Sequence, residues 1–218
     1  MSVAVPPDLE PATAEDVLGY AFECFHPRLY VACSFQKETS VIMDMALRIA
    51  PDARFFTLDT GVLFPETYAA WRRFEEHYEV SVDVYQGLSL ARQADLHGDE
   101  LWSRDPDACC GIRKVSPLSQ ALADVDAWVT GVRREQSPTR ATTEKLHWEE
   151  RQGVWKANPL VDWSEEDVWD YIAARDLPYN ELHDRGYPSI GCTHCTRPAA
   201  GRAGRWADSD KLECGLHG

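Results

Sequence analysis

Residues 28–61, RLYVACSFQKETSVIMDMALRIAPDARFFTLDTG, decide the fold. Arg28 to Ser34 is a short apolar run, as expected of a strand buried on both faces. Glu38 to Ala50 places Val41, Met45 and Ile49 on one helical face. Arg54 to Leu58 (RFFTL) is a second strand. Strand, helix and strand in this order make the crossover unit of a parallel sheet. The alternation extends outward in both directions. Thr13-Ala14-Glu15-Asp16 is a cap-like start for a helix reaching about Phe25. Pro65 to Tyr78 is helical, with Pro65 in the first turn. Val80 to Tyr85 is a strand, Pro106 to Ala123 mostly helix, and Ala127 to Thr130 a short strand. Residues 131–162 read as loops with room for a hairpin. Ser164 caps a helix to Ala174, and from Leu177 the chain is irregular. The expected class is α/β, a mostly parallel sheet with helices on both faces.

Composition narrows the function. The chain has 218 residues, 44% hydrophobic and 27% charged, which excludes global disorder and fits one domain with an appendage. Residues 1–12 are Pro-rich and expected to be disordered. Residues 13–200 form the expected α/β domain, and 201–218, with four glycines, a mobile tail. Asp and Glu outnumber Lys and Arg 36 to 22, for a net charge of −14. No nucleic-acid partner is expected, since gripping a phosphate backbone needs clustered cations. A small anion remains feasible through a local basic pocket. No window approaches 18 consecutive apolar residues, so no membrane partner is expected. The start MSVAVPPDLEPATAED lacks a basic region followed by an apolar run, and the reading is cytoplasmic.

Seven cysteines carry the chemical question. Cys24 and Cys33 lie in apolar surroundings and are expected in the core as small hydrophobes. The others are the pair Cys109-Cys110, the motif Cys192-Thr193-His194-Cys195, and Cys214. In a reducing compartment, clustered cysteines point to metal binding or catalysis. Zinc prefers two spaced C-x-x-C knuckles. Adjacent cysteines can instead reach separate corners of an iron–sulfur cluster. The residues alone favour a cluster and leave zinc and unligated redox thiols open. His194 reads as a neighbour of that site rather than a ligand.

In a parallel sheet, ligands bind at the carboxyl ends of the strands. After the first strand, Ser34 to Ser40 runs into a helix whose N–H groups suit an anion; an ordinary helix cap is the competing reading. Asp59-Thr60-Gly61 follows the second strand. Gly131 to Arg140, a basic loop, follows the fourth at the same sheet edge. A solvated charge run is the alternative there.

Together the motifs resemble the sulfonucleotide reductases, from about residue 28 to the end. They are SFQKETS (34–40), LDTG (58–61), GVRREQSPTR (131–140), NPL (158–160) and DW (162–163). LPYNELHDRGYPSIGCTHCTRP (177–198), GRAGRW (201–206) and KLECGLH (211–217) complete them. The resemblance implies the adenine-nucleotide α-hydrolase-like fold shared with ATP pyrophosphatases. Phe35 and Gln36 stand where the pyrophosphatase loop has glycines, which argues against triphosphate cleavage.

Further implications concern the site. One 4Fe–4S cluster per chain is expected on Cys109, Cys110, Cys192 and Cys195. Cys214, in Glu-Cys-Gly-Leu-His, is implied as the catalytic cysteine. Ser34, Lys37, Arg113, Lys114, Arg133, Arg140, Arg202 and Arg205 are the expected substrate contacts, with Lys114 linking cluster and substrate. The implied reaction is thioredoxin-dependent reduction of adenylyl sulfate to sulfite and AMP through an S-sulfocysteine, in assimilatory sulfate reduction. The 3′-phosphorylated nucleotide is the alternative substrate. No second cysteine neighbours Cys214, so an external dithiol, thioredoxin or glutaredoxin, is implied. A homo-oligomer is compatible with all of this. Two other classes compete. A tRNA sulfur transferase would need the diglycine loop and a basic face; a zinc-stabilised binding module leaves Cys214 unexplained.

Overall fold

The computed structural model describes residues 7–217. Its centre is a six-stranded sheet of β1 (Leu29–Ala32), β2 (Arg54–Asp59), β3 (Val82–Gln86), β4 (Ala127–Val129), β5 (Leu146–Glu149) and β6 (Val154–Ala157). The order is β3-β2-β1-β4-β6-β5, and only β5 runs antiparallel, in a hairpin with β6. The mostly parallel α/β class read from the sequence is therefore observed.

Alternation along the strands assigns each side chain to a face. Leu29, Val31, Phe55, Val82, Ala127 and Val129 join one apolar cluster with helices α1 (Ala14–Phe25), α2 (Lys37–Ile49), α3 (Pro65–Tyr78) and the last long helix, Glu165–Arg175. Tyr30, Phe56, Trp128 and Val154 point the other way and pack on Leu118, Ala121 and Leu122. Two helices start with reciprocal caps. Thr13 Oγ1 accepts from the Asp16 N–H at 3.2 Å, and Ser164 Oγ from the Asp167 N–H at 3.0 Å.

Several expectations need correction. Cys24 is exposed, because the buried stripe of α1 is Ala14, Val17, Leu18, Ala21, Phe22 and Phe25, and Cys24 falls off it. Of the expected disordered stretch 1–12, residues 1–6 lie outside the described residues. Beyond them Glu10 accepts from the Lys145 N–H at 2.9 Å and pairs with Arg134, and the Ala12 carbonyl accepts from Lys145 Nζ. The reading left residues 86–105 unassigned. They hold α4 (Leu90–His97) and α5 (Leu101–Arg104). Helix α4 leaves Leu90 and Leu96 exposed and buries Gln93, so it has no apolar stripe to recognise. The single helix expected over 106–123 is α6 (Pro106–Cys110), a π-turn (Gly111–Val115) and α7 (Ser116–Ala121). The helix Glu165–Arg175 is α8. Among the described residues no helix is long and apolar enough to cross a membrane.

His183 joins the irregular C-terminal region to the start of α2, its Nε2 accepting from the Lys37 N–H at 3.1 Å. Burial, with the Lys37 charge, pushes its pKa down to about 4 from the ordinary 6.5. Above pH 6.5 the ring is neutral whether the chain is folded or not. As pH falls toward 4 the unfolded chain takes up a proton that the folded one refuses, so folding weakens through that window. The shift corresponds to on the order of 3 kcal/mol. Urea unfolding between pH 7 and 4 is expected to show that loss, and His183→Gln, which keeps an acceptor but does not titrate, to flatten it. An identical pH slope in both proteins would refute the assignment.

Candidate active site

The carboxyl ends of β1, β2 and β4 open on a cavity of about 250 Å³. The Ser34–Thr39 loop, Thr60, Gly131–Arg140, Ser189–Gly191 and the segment from Gly201 to His217 all border it. The expected substrate contacts Ser34, Lys37, Lys114, Arg133, Arg140, Arg202 and Arg205 line this cavity together with Cys214. Arg113 does not. Its Nη1 donates to the Thr60 carbonyl, and the side chain borders a second, smaller cavity with the four paired cysteines. The π-turn at 111–115 widens the helix there and sends Arg113 to the cysteines and Lys114 to both cavities.

The cations divide by partner. Lys37 is 2% exposed, donates to the Pro188 carbonyl at 3.0 Å and pairs with Glu165 at 3.1 Å. Arg133, also 2% exposed, pairs with Glu38 at 3.1 Å and with Glu135, and donates to the Trp163 carbonyl. Both charges are therefore met by protein carboxylates, and they brace the cavity wall. In the anion loop, the N–H groups of Ser34 and Phe35 both donate to Thr39 Oγ1 at 3.1 Å, so the first donors are used internally.

The second group faces the C-terminal segment. Arg205 donates to Ser189 Oγ at 3.1 Å and lies over the Trp206 ring at 4.5 Å. Arg202 lies beside Arg140 and Arg205; burial and the Arg140 charge push its pKa down to about 10. Among the described residues no hydrogen-bond acceptor reaches Lys114 Nζ. Burial disfavours the Lys114 ammonium, but the sulfurs of Cys192 and Cys214 outweigh that and raise its pKa.

Cys109 and Cys110 end α6, whose first turn is capped by Asp105 Oδ1 on the Ala108 N–H at 2.9 Å. Cys192 and Cys195 flank a 3₁₀ turn held by the Thr193 N–H on the Val62 carbonyl. The four thiols border one cavity with Trp102, Arg113, Lys114, His194 and Trp206. Burial pushes Cys110 up to about 11 and raises Cys109 and Cys195 as well. The buried guanidinium nitrogens Nε and Nη2 of Arg113 have no partner. Among the described residues no three His, Cys, Asp or Glu side chains close to the spacing of one metal ion. Four thiols around one cavity, beside the unpaired Arg113 nitrogens, are the residues that could hold a metal cofactor through thiolate ligands. His194 stacks on Trp102 at 3.9 Å, which makes it part of the outer wall.

Cys214 has no apolar run around it in the sequence, yet it is 8% exposed and packs on Cys110 and Trp206. The C-terminal segment folds into the cavity and carries it there. Burial opposes ionisation, but Lys114, the Leu216 N–H and Arg205 hold the thiol below its ordinary pKa. A buried thiol whose pKa is held down beside cations that no carboxylate pairs can act as a nucleophile toward an anionic electrophile. Gly215, at φ +81°, permits the turn after it. His217 stacks on Trp128 at 5.9 Å, and burial pushes its pKa well down. Sequence reasoning gave no role to Gln93, Trp206 or His217. Gln93 Nε2 lies 4.0 Å from Cys109 Sγ, and nothing in its surroundings in sequence signals that contact.

Comparisons with known proteins place the chain among relatives of one family and fold. Residues 28–198 match the family model described as the phosphoadenosine phosphosulfate reductase domain. An adenosine 5′-phosphosulfate reductase of Salinibacter ruber is 46% identical over 98% of this chain and 87% of its own length. The crystal structure of a phosphoadenylyl-sulfate reductase from Candida auris superposes with a TM-score of 0.77 at 31% identity, covering 90% of this chain and all of the other. Candida glabrata FMN adenylyltransferase, at 14% identity, shares the fold with a TM-score of 0.62 over 91% of this chain and 70% of its own.

Gly191 lets Arg205 approach its backbone: a Cβ there would stand 2.6 Å from Arg205 Cζ. Gly191→Ala is expected to leave folding stability nearly unchanged, because a flexible side-chain end can move, but to displace the guanidinium. Losing one charge-assisted hydrogen bond should weaken AMP binding about tenfold or more by calorimetry. Unchanged affinity would show that Arg205 does not contact the anion.

Proposed function

The chain belongs to the phosphoadenosine phosphosulfate reductase domain family, and on that premise we propose that it reduces adenylyl sulfate to sulfite and AMP, as an oxidoreductase acting on a sulfur group in assimilatory sulfate reduction. The observation that carries the reading is Cys214, an acidified thiol delivered into a cavity of buried cations. The name borne by relatives at 46% identity supports adenylyl sulfate rather than its 3′-phosphorylated form.

The chemistry follows from that thiol. Adenylyl sulfate holds sulfur(VI) in a mixed anhydride. The Cys214 thiolate attacks the sulfur, an S–S bond forms, and the S–O bond to phosphate breaks. AMP leaves with the bonding pair, and Cys214 carries an S-sulfo group. Arg205, Arg202 and Lys114 bind the phosphosulfate oxyanions and stabilise the charge that builds on the leaving phosphate. Arg140 borders the same end of the cavity. Ser34 supports the nucleotide from the opposite wall, with Lys37 and Arg133 bracing it. An external dithiol of the thioredoxin or glutaredoxin class then attacks Cys214 Sγ. Sulfite leaves with the S–S pair, and the second thiol of the donor resolves the mixed disulfide. The donor supplies both electrons and is oxidised to a disulfide.

The second attack needs access to a sulfur that is buried here. The 201–218 tail therefore serves as a mobile arm on the 13–200 nucleotide-binding domain, closing for the first step and opening for the second. Cys109, Cys110, Cys192 and Cys195 would hold a 4Fe–4S cluster, which supplies fixed charge beside Lys114 and rigidity to the turn that carries it. Lys114, between the two cavities, orients toward the anion.

Anaerobically purified protein is expected to contain about four iron and four acid-labile sulfide per chain, and Cys192→Ser to lose them. Stoichiometric zinc without sulfide would contradict this. With thioredoxin, kcat/KM should be larger for adenylyl sulfate than for the 3′-phosphorylated nucleotide. The opposite order would reverse the substrate assignment.

A further inference from the structure

We infer that Glu213 is the positioning residue that docks the C-terminal segment over the cavity, and that Ser137, Thr139, Arg140 and Arg202 form its receptor. The inference rests on the reading of Cys214 as the nucleophile, and it gives the end of the Gly131–Arg140 loop a second purpose besides facing substrate.

The contact draws on three guanidinium N–H groups and a pair of hydroxyls. Glu213 Oε1 accepts from Arg140 Nε at 2.8 Å, Thr139 Oγ1 at 3.1 Å and Ser137 Oγ at 3.2 Å. Oε2 accepts from Arg140 Nη2 at 2.7 Å and Arg202 Nη2 at 3.1 Å. The Arg140 fork thus grips both oxygens, the geometry that gives an ion pair direction as well as strength. Ser137 Oγ and Thr139 Oγ1 also lie 2.7 Å apart, so one hydroxyl proton bridges the pair and the other is donated to the carboxylate. The Glu213 side chain is 14% exposed and that of Arg140 8%, which removes most of the solvent screening that makes surface pairs weak.

No other contact of the segment combines these properties. Arg151 donates to the Gly215 carbonyl at 3.1 Å from an exposed position. Lys211 pairs with Asp107, whose side chain is 82% exposed. Arg197 and Asp208 pair in the open. Glu213 directly precedes Cys214, so fixing its carboxylate fixes the thiol to within one peptide unit, about 3.8 Å between Cα atoms. Cys214 itself has only the environment it is carried into. Each of the other carboxylates hydrogen-bonded to a cavity cation serves Lys37 or Arg133: Glu165, Glu38 and Glu135. Glu213 alone, among the described residues, answers Arg140 and Arg202.

A competing use of the same geometry is that Glu213 merely fills the anion site until substrate displaces it. The two predict opposite kinetics. The test uses the full-length, anaerobically purified protein and Glu213→Gln, which keeps size and removes charge. Without nucleotide, iodoacetamide labelling of Cys214, read by peptide mass mapping, should be about tenfold faster in the Gln variant, the factor expected for a lost charge-assisted contact. Glu213→Asp, which keeps the charge, should fall between. With saturating adenylyl sulfate and a dithiol, kcat should drop about tenfold or more while KM stays within about twofold, since the variant loses placement of the nucleophile rather than nucleotide binding. Unchanged labelling would overturn the inference. So would a lowered KM with kcat maintained, the mark of a displaced competitor. Labelling needs no turnover. Absence of sulfite from the wild type would therefore fail the functional reading alone and leave the docking result standing.

Discussion

Buried positive charge is the constraint on which the rest of this molecule depends. Six cations converge at one end of the sheet in a protein of net charge −14. A buried ion left alone costs several kcal/mol. Lys37 and Arg133 are offset permanently by Glu165, Glu38 and Glu135, and they hold α2, α8 and the β4 loop together. Of Lys114, Arg140, Arg202 and Arg205, only Arg140 and Arg202 meet a carboxylate, that of Glu213 in the C-terminal segment. The C-terminal segment answers them with one carboxylate and one thiol. Lys114 and Arg205 are left without a carboxylate partner among the described residues, which suits the cavity to an anion. Lys114 is the main cause that lowers the pKa of Cys214, while burial and then the Arg140 charge lower that of Arg202.

The same constraint ties the two cavities together. Lys114 borders both, and the sulfurs of Cys192 and Cys214 lie on either side of it. Its ammonium is placed by the π-turn, which follows directly from the tandem cysteines of α6. Charge on the four thiols is thus felt at Cys214 through Lys114 and through the direct contact of Cys110 with Cys214. Arg113 marks the limit of that coupling: one residue earlier in the turn, it serves the cysteines and not the larger cavity.

What was legible in the sequence follows from how local each signal is. Strands β1, β2 and β4 announced themselves as apolar runs and α1 and α8 by caps within three residues of their partners, while β5 and β6 were foreseen only as room for a hairpin. Helix α4 carried no such signal because it exposes its leucines. Cys24 looked like a core residue because its neighbours are apolar, although the helical period places it outside. The site residues were found as motifs: the structure gathers Cys214 and all the expected substrate contacts but Arg113 around one cavity, and the four paired cysteines with Arg113 around the other. Their partners were not legible. Arg133 meets Glu38 across 95 residues, and Arg140 meets Glu213 across 73. Pairings of that range are set by the sheet order, which no local pattern encodes. Thus Lys37 and Arg133, grouped with the substrate contacts by motif, turn out to be neutralised by their own chain.

The central claim is that Cys214 attacks sulfur and keeps it. Intact-mass spectrometry of the protein mixed with adenylyl sulfate, before any reductant is added, tests this most directly. The account predicts a gain of about 80 Da, one SO₃ group held as a covalent intermediate, mapping to the peptide that contains Cys214 and absent from Cys214→Ser. An adduct on any other cysteine, or sulfite release by the Ser variant at a tenth of the wild-type rate, would contradict it.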